Sequence, residues 1–206
     1  MTRNSFVVIV LLVFVLPGLM ACGSNPVEDH YYSLVLAADD AMAPARTEET
    51  KAHLIVGPVQ LPEYLNRRGL AMQKDSNQIQ TANHHFWAEP LEEAISKVLV
   101  RDIANLASGV TVDRDAGRWT DSGDCRLRIE FDKFHATDRS RVVSSGRYWV
   151  SSSDSDLKQE FAVTQTLSVD GHANAVAALR RSLGILAAQI TDTIESNSQC
   201  SGEQAK

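Results

Sequence analysis

Cysteine stands at 22, 125 and 200, and histidine at 30, 53, 84, 85, 135 and 172. Ser144 and Ser145 precede Gly146, while Glu89, Glu92 and Glu93 crowd around Pro90 in the stretch "NHHFWAEPLEEAI". These residue types could hold a metal, act as acid and base, or form a serine nucleophile with His135 as its base. Spacing argues against each. His84 and His85 are adjacent, so on a strand they point to opposite faces and cannot easily share an ion. The other histidines form no HxH or HxxxH pair. There is no GxSxG elbow, P-loop, HExxH or CxxC, so a periplasmic hydrolase built on Ser144 or Ser145 with His135 remains a rival without a motif. No cofactor, metal site or catalytic residue is expected.

The elements that would carry these residues explain several of them without chemistry. From Leu91 the apolar residues fall at 91, 95, 98, 99, 103 and 106, which predicts a helix over Pro90 to Ala107. Pro90 suits its first turn, the three glutamates suit the positive end of its dipole, and Gly109 suits its stop. Before it, "YYSLVL" (Tyr31 to Leu36) reads as a first strand, and "GLAMQKDSNQIQTAN" as a hairpin turning at Asp75 to Asn77. "HLIVGPVQLPEYL" reads as a strand that Pro58 restricts to an edge or a bulge. After the helix, "CRLRIEF" alternates, with Leu127, Ile129 and Phe131 on one face, and the phase break at Lys133-Phe134 suggests a bulge. Two further strands return the chain, and Val176, Leu179, Leu183, Leu186, Ile190 and Ile194 form a second helical stripe. The fold class expected is α+β: a single domain with a largely antiparallel β-sheet and two main helices on one face.

Residues 1 to 21 have the layout of an export signal: Arg3, an apolar run from Phe6 to Leu16, a Pro17-Gly18 break, then Leu19-Met20-Ala21 before Cys22. The run is about half of the ~20 residues a membrane-spanning helix needs. The tetrad Leu19 to Cys22 resembles a lipobox, which implies lipidation of Cys22, and Gly23 in place of an aspartate implies sorting to the outer membrane, facing the periplasm. The expected organisation is signal 1–21, tether 22–30, globular domain 31–196 and tail 197–206. Loss of Arg3 with the signal takes the formal charge from −6 to −7, which lacks the basic field that nucleic-acid binding requires. Cys125 and Cys200 would meet an oxidising compartment, where a disulfide between them is the default and two buried thiols the alternative.

Five stretches carry a family resemblance: "YYSL" soon after Cys22, Val56 to Gln73, Asn83 to Ile95, "IEFDKFHA" and "SSGRYWV". In this order they resemble the PqiC/YmbA group of auxiliary lipoproteins, which accompany MCE-protein transport systems. Arg67 is followed here by Arg68 and Gly69, where many relatives carry Arg-Pro. The resemblance implies no enzyme, but a lipid-anchored outer-membrane subunit of a system moving lipids or other hydrophobic molecules between membranes. Its implied partner is an MCE-domain (PqiB-like) protein; because such a partner is a ring, a homo-oligomer is expected around its end. A structural lipoprotein assisting outer-membrane assembly is the alternative. The candidate contact is the edge-strand segment Val56 to Leu65, with Gln60 and Glu63 as its probes, and Trp119 as a second aromatic candidate in a polar loop.

Overall fold

The structure is a computed structural model that describes residues 27–35, 52–115, 125–153, 155–197 and Cys200; Cys22 and Trp119 lie outside the described residues. In chain order the elements are β1 (His30–Tyr32), β2 (Ala52–Gln60), a 3-10 turn (Glu63–Leu65), β3 (Gly69–Asp75), β4 (Gln78–Trp87), α1 (Leu91–Leu106), β5 (Val110–Arg114), β6 (Cys125–Thr137), β7 (Arg141–Ser151), β8 (Asp156–Thr166) and α2 (His172–Ser196). All eight strands join one sheet. Its longest ladders, β6 with β7 and β7 with β8, are antiparallel, as is the β3–β4 hairpin. Shorter parallel ladders join β1 to β4, β2 to β5, and β6 to both β2 and β3. The fold is α+β in one domain, mostly antiparallel, as the alternating strands and the two apolar stripes predict.

β6 is the spine of the sheet. One of its edges pairs with β7 from Arg126 to Thr137, and the other takes β2 against Cys125 to Glu130 and then β3 against Ala136 and Thr137. The register slips between Phe131 and Lys133, where the broken alternation called for a bulge. Gly146 lies opposite Phe131, and a Cβ there would fall 2.1 Å from the Glu130 carbonyl oxygen, so the backbones meet only because position 146 is glycine. The helices share the core. α2 packs on β6, β7 and β8, α1 packs on β2 and β5, and the two helices touch each other. Leu183, Leu186, Ile190 and Ile194 are fully buried, as the stripe requires, and Phe131 packs edge-on against Phe134 and Phe161. Arg180 of α2 meets Asp102 of α1 at 2.7 Å, a largely buried pair whose desolvation cost is offset by close geometry.

Three expectations are corrected. β2 is not an edge strand, because β5 pairs with it from Ala52 to Val56 on one side while β6 pairs on the other. Of the two alternatives for Pro58 the bulge holds: the β2–β6 register shifts between Val56 and Val59. β5 itself was not foreseen; with Val110 and Val112 as its only buried residues, five residues give too little alternation to read. The first strand ends at Tyr32 rather than Leu36. Ser33 Oγ accepts the Val35 N–H at 3.1 Å, a local turn that takes the chain off the sheet and drops Leu34 into the core. The first helix begins one residue late, with Pro90 in the N-cap position in an extended conformation.

Candidate functional site

Three of the stretches singled out in the sequence, those containing Tyr32, Arg68 and Trp87, meet at one corner of the sheet. Trp87, the last residue of β4, is buried, and its N–H donates to the Arg68 carbonyl at 2.8 Å; the next N–H, of Ala88, donates to the Tyr32 carbonyl at 2.8 Å. The turn into α1 is thus pinned on one side by β1 and on the other by the loop before β3. Gly69 makes the second contact possible, since a Cβ there would lie 2.6 Å from the Ala82 carbonyl oxygen. The Arg68 guanidinium sits 5.5 Å over the Phe86 ring and 6.0 Å over Tyr31, cation–π distances that fix it across the end of the hairpin. Between this loop and the start of α1 opens a cleft of about 460 Å³, lined by Leu65, Arg67, Arg68, Trp87, Pro90 and Leu91 among others. Its floor is apolar and its rim carries both arginines and the glutamates at 89 and 92. Glu89 and Glu93 both pair with Lys97, so two of the three acids of the opening stretch serve the helix.

A second set of contacts seats the 3-10 turn against β6. The Tyr64 phenol donates to His135 Nδ1 at 2.9 Å, and His135 Nε2–H donates to Gln73 Oε1 at 3.3 Å. His135 is 3% exposed, and its burial, with the Lys133 charge adding, holds its pKa at about 4. Burial likewise pushes the Tyr64 phenol up. With both ring nitrogens engaged, His135 is a structural imidazole. Ser144 is no partner for it: the register sets Ser144 opposite Phe134 and His135 opposite Val143, so the two side chains leave opposite faces of the sheet.

Gln60 and Glu63 are exposed, at the end of β2 and the start of the 3-10 turn. β5 follows β2 only as far as Val56, and beyond it Gly57, Pro58 and Val59 border a shallow hollow with Glu92, Arg114 and Asp115. Cys125 and Cys200 are joined by a disulfide with Cα atoms 5.7 Å apart, tying the first residue of β6 to the segment after α2. The sequence reading missed one cluster altogether. His30, His85 and His172 come from three elements and stack ring on ring, while His84 turns to Asp29 at 2.9 Å. No local spacing links positions 30, 85 and 172: the β1–β4 ladder pairs the first two, and the start of α2 brings His172 onto them. Among the described residues no group of three or more histidines, cysteines or acids is placed to hold a metal ion.

Comparison with known proteins matches residues 32–191 to the family described as "ABC-type transport auxiliary lipoprotein component". The chain is similar to the intermembrane transport lipoprotein PqiC of Escherichia coli (strain K12) and to that of Shigella flexneri, each 24% identical over 161 residues that cover 78% of this chain and 83% of the relative. Among solved structures, an uncharacterized protein aligns with a TM-score of 0.70 at 24% identity, over 82% of this chain and 99% of that one. Protein XCC0632 from Xanthomonas campestris aligns with a TM-score of 0.56 at 16% identity, over 71% and 86%. The two structures share the fold.

Proposed function

We propose, because the chain belongs to the family of ABC-type transport auxiliary lipoprotein components, that it acts as the outer-membrane-anchored, periplasm-facing subunit of an MCE-type intermembrane transport system. The observation that carries this reading is the family match over residues 32–191, with three of the matching stretches meeting at one corner of the sheet. That corner is built for docking rather than catalysis: buried contacts of Tyr64, His135 and Trp87 hold a rigid frame, and the frame presents exposed polar residues and a shallow apolar cleft.

In this reading Cys22 carries the lipid and the protein reaches across to an MCE-domain partner, with several copies arranged around the end of that partner. Because β2 is an interior strand over its first half, backbone pairing with a neighbour is confined to the stretch past Val56, where β5 has ended. Gln60, Glu63 and the rim arginines Arg67 and Arg68 form the contact. Photocrosslinkers at Gln60 and Glu63, in cells that carry the whole system, test it. Adducts with an MCE-domain protein or with a second copy are expected; unmodified monomer alone, while the partner still co-purifies, would place the interface elsewhere.

A further inference from the structure

The histidine stack takes no part in that docking role. The His85 ring lies 5.0 Å from His30 at an interplanar angle of 13° and 3.7 Å from His172 at 12°, so three imidazoles from β1, β4 and the first residue of α2 stand face to face. We propose that this stack is a pH-sensitive clasp that holds β1 to the sheet while its rings are neutral and releases it when they are protonated.

Besides the stack, β1 is held by the Ala88 N–H on the Tyr32 carbonyl, by Arg68 over the Tyr31 ring and, among the described residues, by a short ladder. Three residue pairs with β4, His30 with His85, Tyr31 with Phe86 and Tyr32 with Trp87, are its whole ladder. Neutral imidazoles stack without charge repulsion, whereas an imidazolium at His85 places its charge 5.0 Å from the His30 ring of β1 and 3.7 Å from His172, and takes away the bare Nδ1 that holds the Tyr32 phenol. The surroundings do not absorb the added charge. Lys74 of β3 and His84 of β4 border the same hollow, and His172 sits at the positive end of the α2 dipole. The nearby acids are Glu28 and Asp29, of which Asp29 is engaged by His84. Tyr32 adds a directional lock: its phenol lies 2.9 Å from His85 Nδ1 and donates to it when that nitrogen is bare, and Nδ1 is then the nitrogen that a second proton must occupy. Burial, with the neighbouring imidazoles adding, holds both His85 and His172 below the ordinary histidine value. The sign follows. Release of β1 relieves His85 of burial and of the His30 ring, so the released state favours the protonated His85; clasping is at full strength above about pH 6.5 and is lost as pH falls below it. Release would stop at Leu34, which is fully buried, and would free residues 27 to 33, about 20 Å of additional reach.

Only the meaning of that added reach depends on a lipid at Cys22; the clasp rests on the rings. Hydrogen exchange of the processed full-length protein in detergent, corrected for intrinsic exchange, would be followed from pH 7.5 to 5 by mass spectrometry. Protection of peptides covering 27–33 should fall several-fold relative to peptides of β6 and β7. His172→Phe keeps a ring in the stack without its charge, and should remove at least half of that fall on a logarithmic scale; His172→Gln should do the same if the larger ring disturbs folding. Equal protection of 27–33 at both pH values would overturn the clasp. So would loss in parallel with β6 and β7, or an undiminished fall in both variants.

Discussion

His135 shows how a residue that looks catalytic on paper can be structural. Buried, with Tyr64 on one nitrogen and Gln73 on the other, it is neutral throughout the ordinary pH range. Its pKa, lowered from 6.5 to about 4, makes the native state the poorer proton acceptor, a difference of roughly 3 kcal/mol. That stability is complete above about pH 6.5 and is lost as pH falls towards 4. Urea midpoints measured between pH 7.5 and 4 should drop accordingly, and His135→Gln should flatten the slope while lowering the starting value. Tyr64→Phe leaves the imidazole without its donor and should cost about 1–2 kcal/mol at pH 7.5, read from the same titrations.

Among the elements, those with a sustained period were legible in the sequence and those fixed by neighbours were not. Leu91 to Leu106 announces itself by its apolar spacing, and Leu127, Ile129 and Phe131 by alternation, because each element has enough residues to repeat its pattern. β5 offers two apolar residues, and the interior place of β2 depends on β5, so both escaped together. The cleft and the histidine stack escaped for a further reason: they are made by contacts between positions 30, 68, 85, 87 and 172, which share no local spacing. The β6 bulge, by contrast, could be read from a phase break, and its dependence on Gly146 is open to test. Gly146→Ala drives a methyl group into the Glu130 carbonyl and should destabilise by about 3 kcal/mol in a thermal or urea melt. The disulfide ties β6 to the end of α2 across a separation of 75 residues, for which chain entropy gives about 4 kcal/mol as an upper figure. Cys125→Ala with Cys200→Ala should lower the unfolding free energy from urea titration by no more than that amount, and thiol titration of the native protein should find both sulfurs blocked.

At the scale of the whole molecule, the proposed attachment organises the rest. With Cys22 as the lipid site, Cys22→Ala should leave a precursor that migrates above the processed form and takes up no fatty-acid label; normal processing in that variant would remove the anchor from the proposal. An anchored protein that grips a partner bridges two bodies that drift relative to one another, and it therefore bears load. A pull on the amino-terminal side enters through three parallel residue pairs between β1 and β4 and passes to β3 through the hairpin. It then reaches the spine through two ladder pairs, Met72 with Ala136 and Gln73 with Thr137, aided by the Asp138 N–H on the Gln73 carbonyl. Beyond that junction stand the two eleven-pair ladders of β6, β7 and β8, the disulfide and both helices. The domain is thus a stiff block on a compliant mount: under tension β1 yields first, the pull then falls on Leu34 in the core, and the block of β6, β7 and β8 keeps its shape.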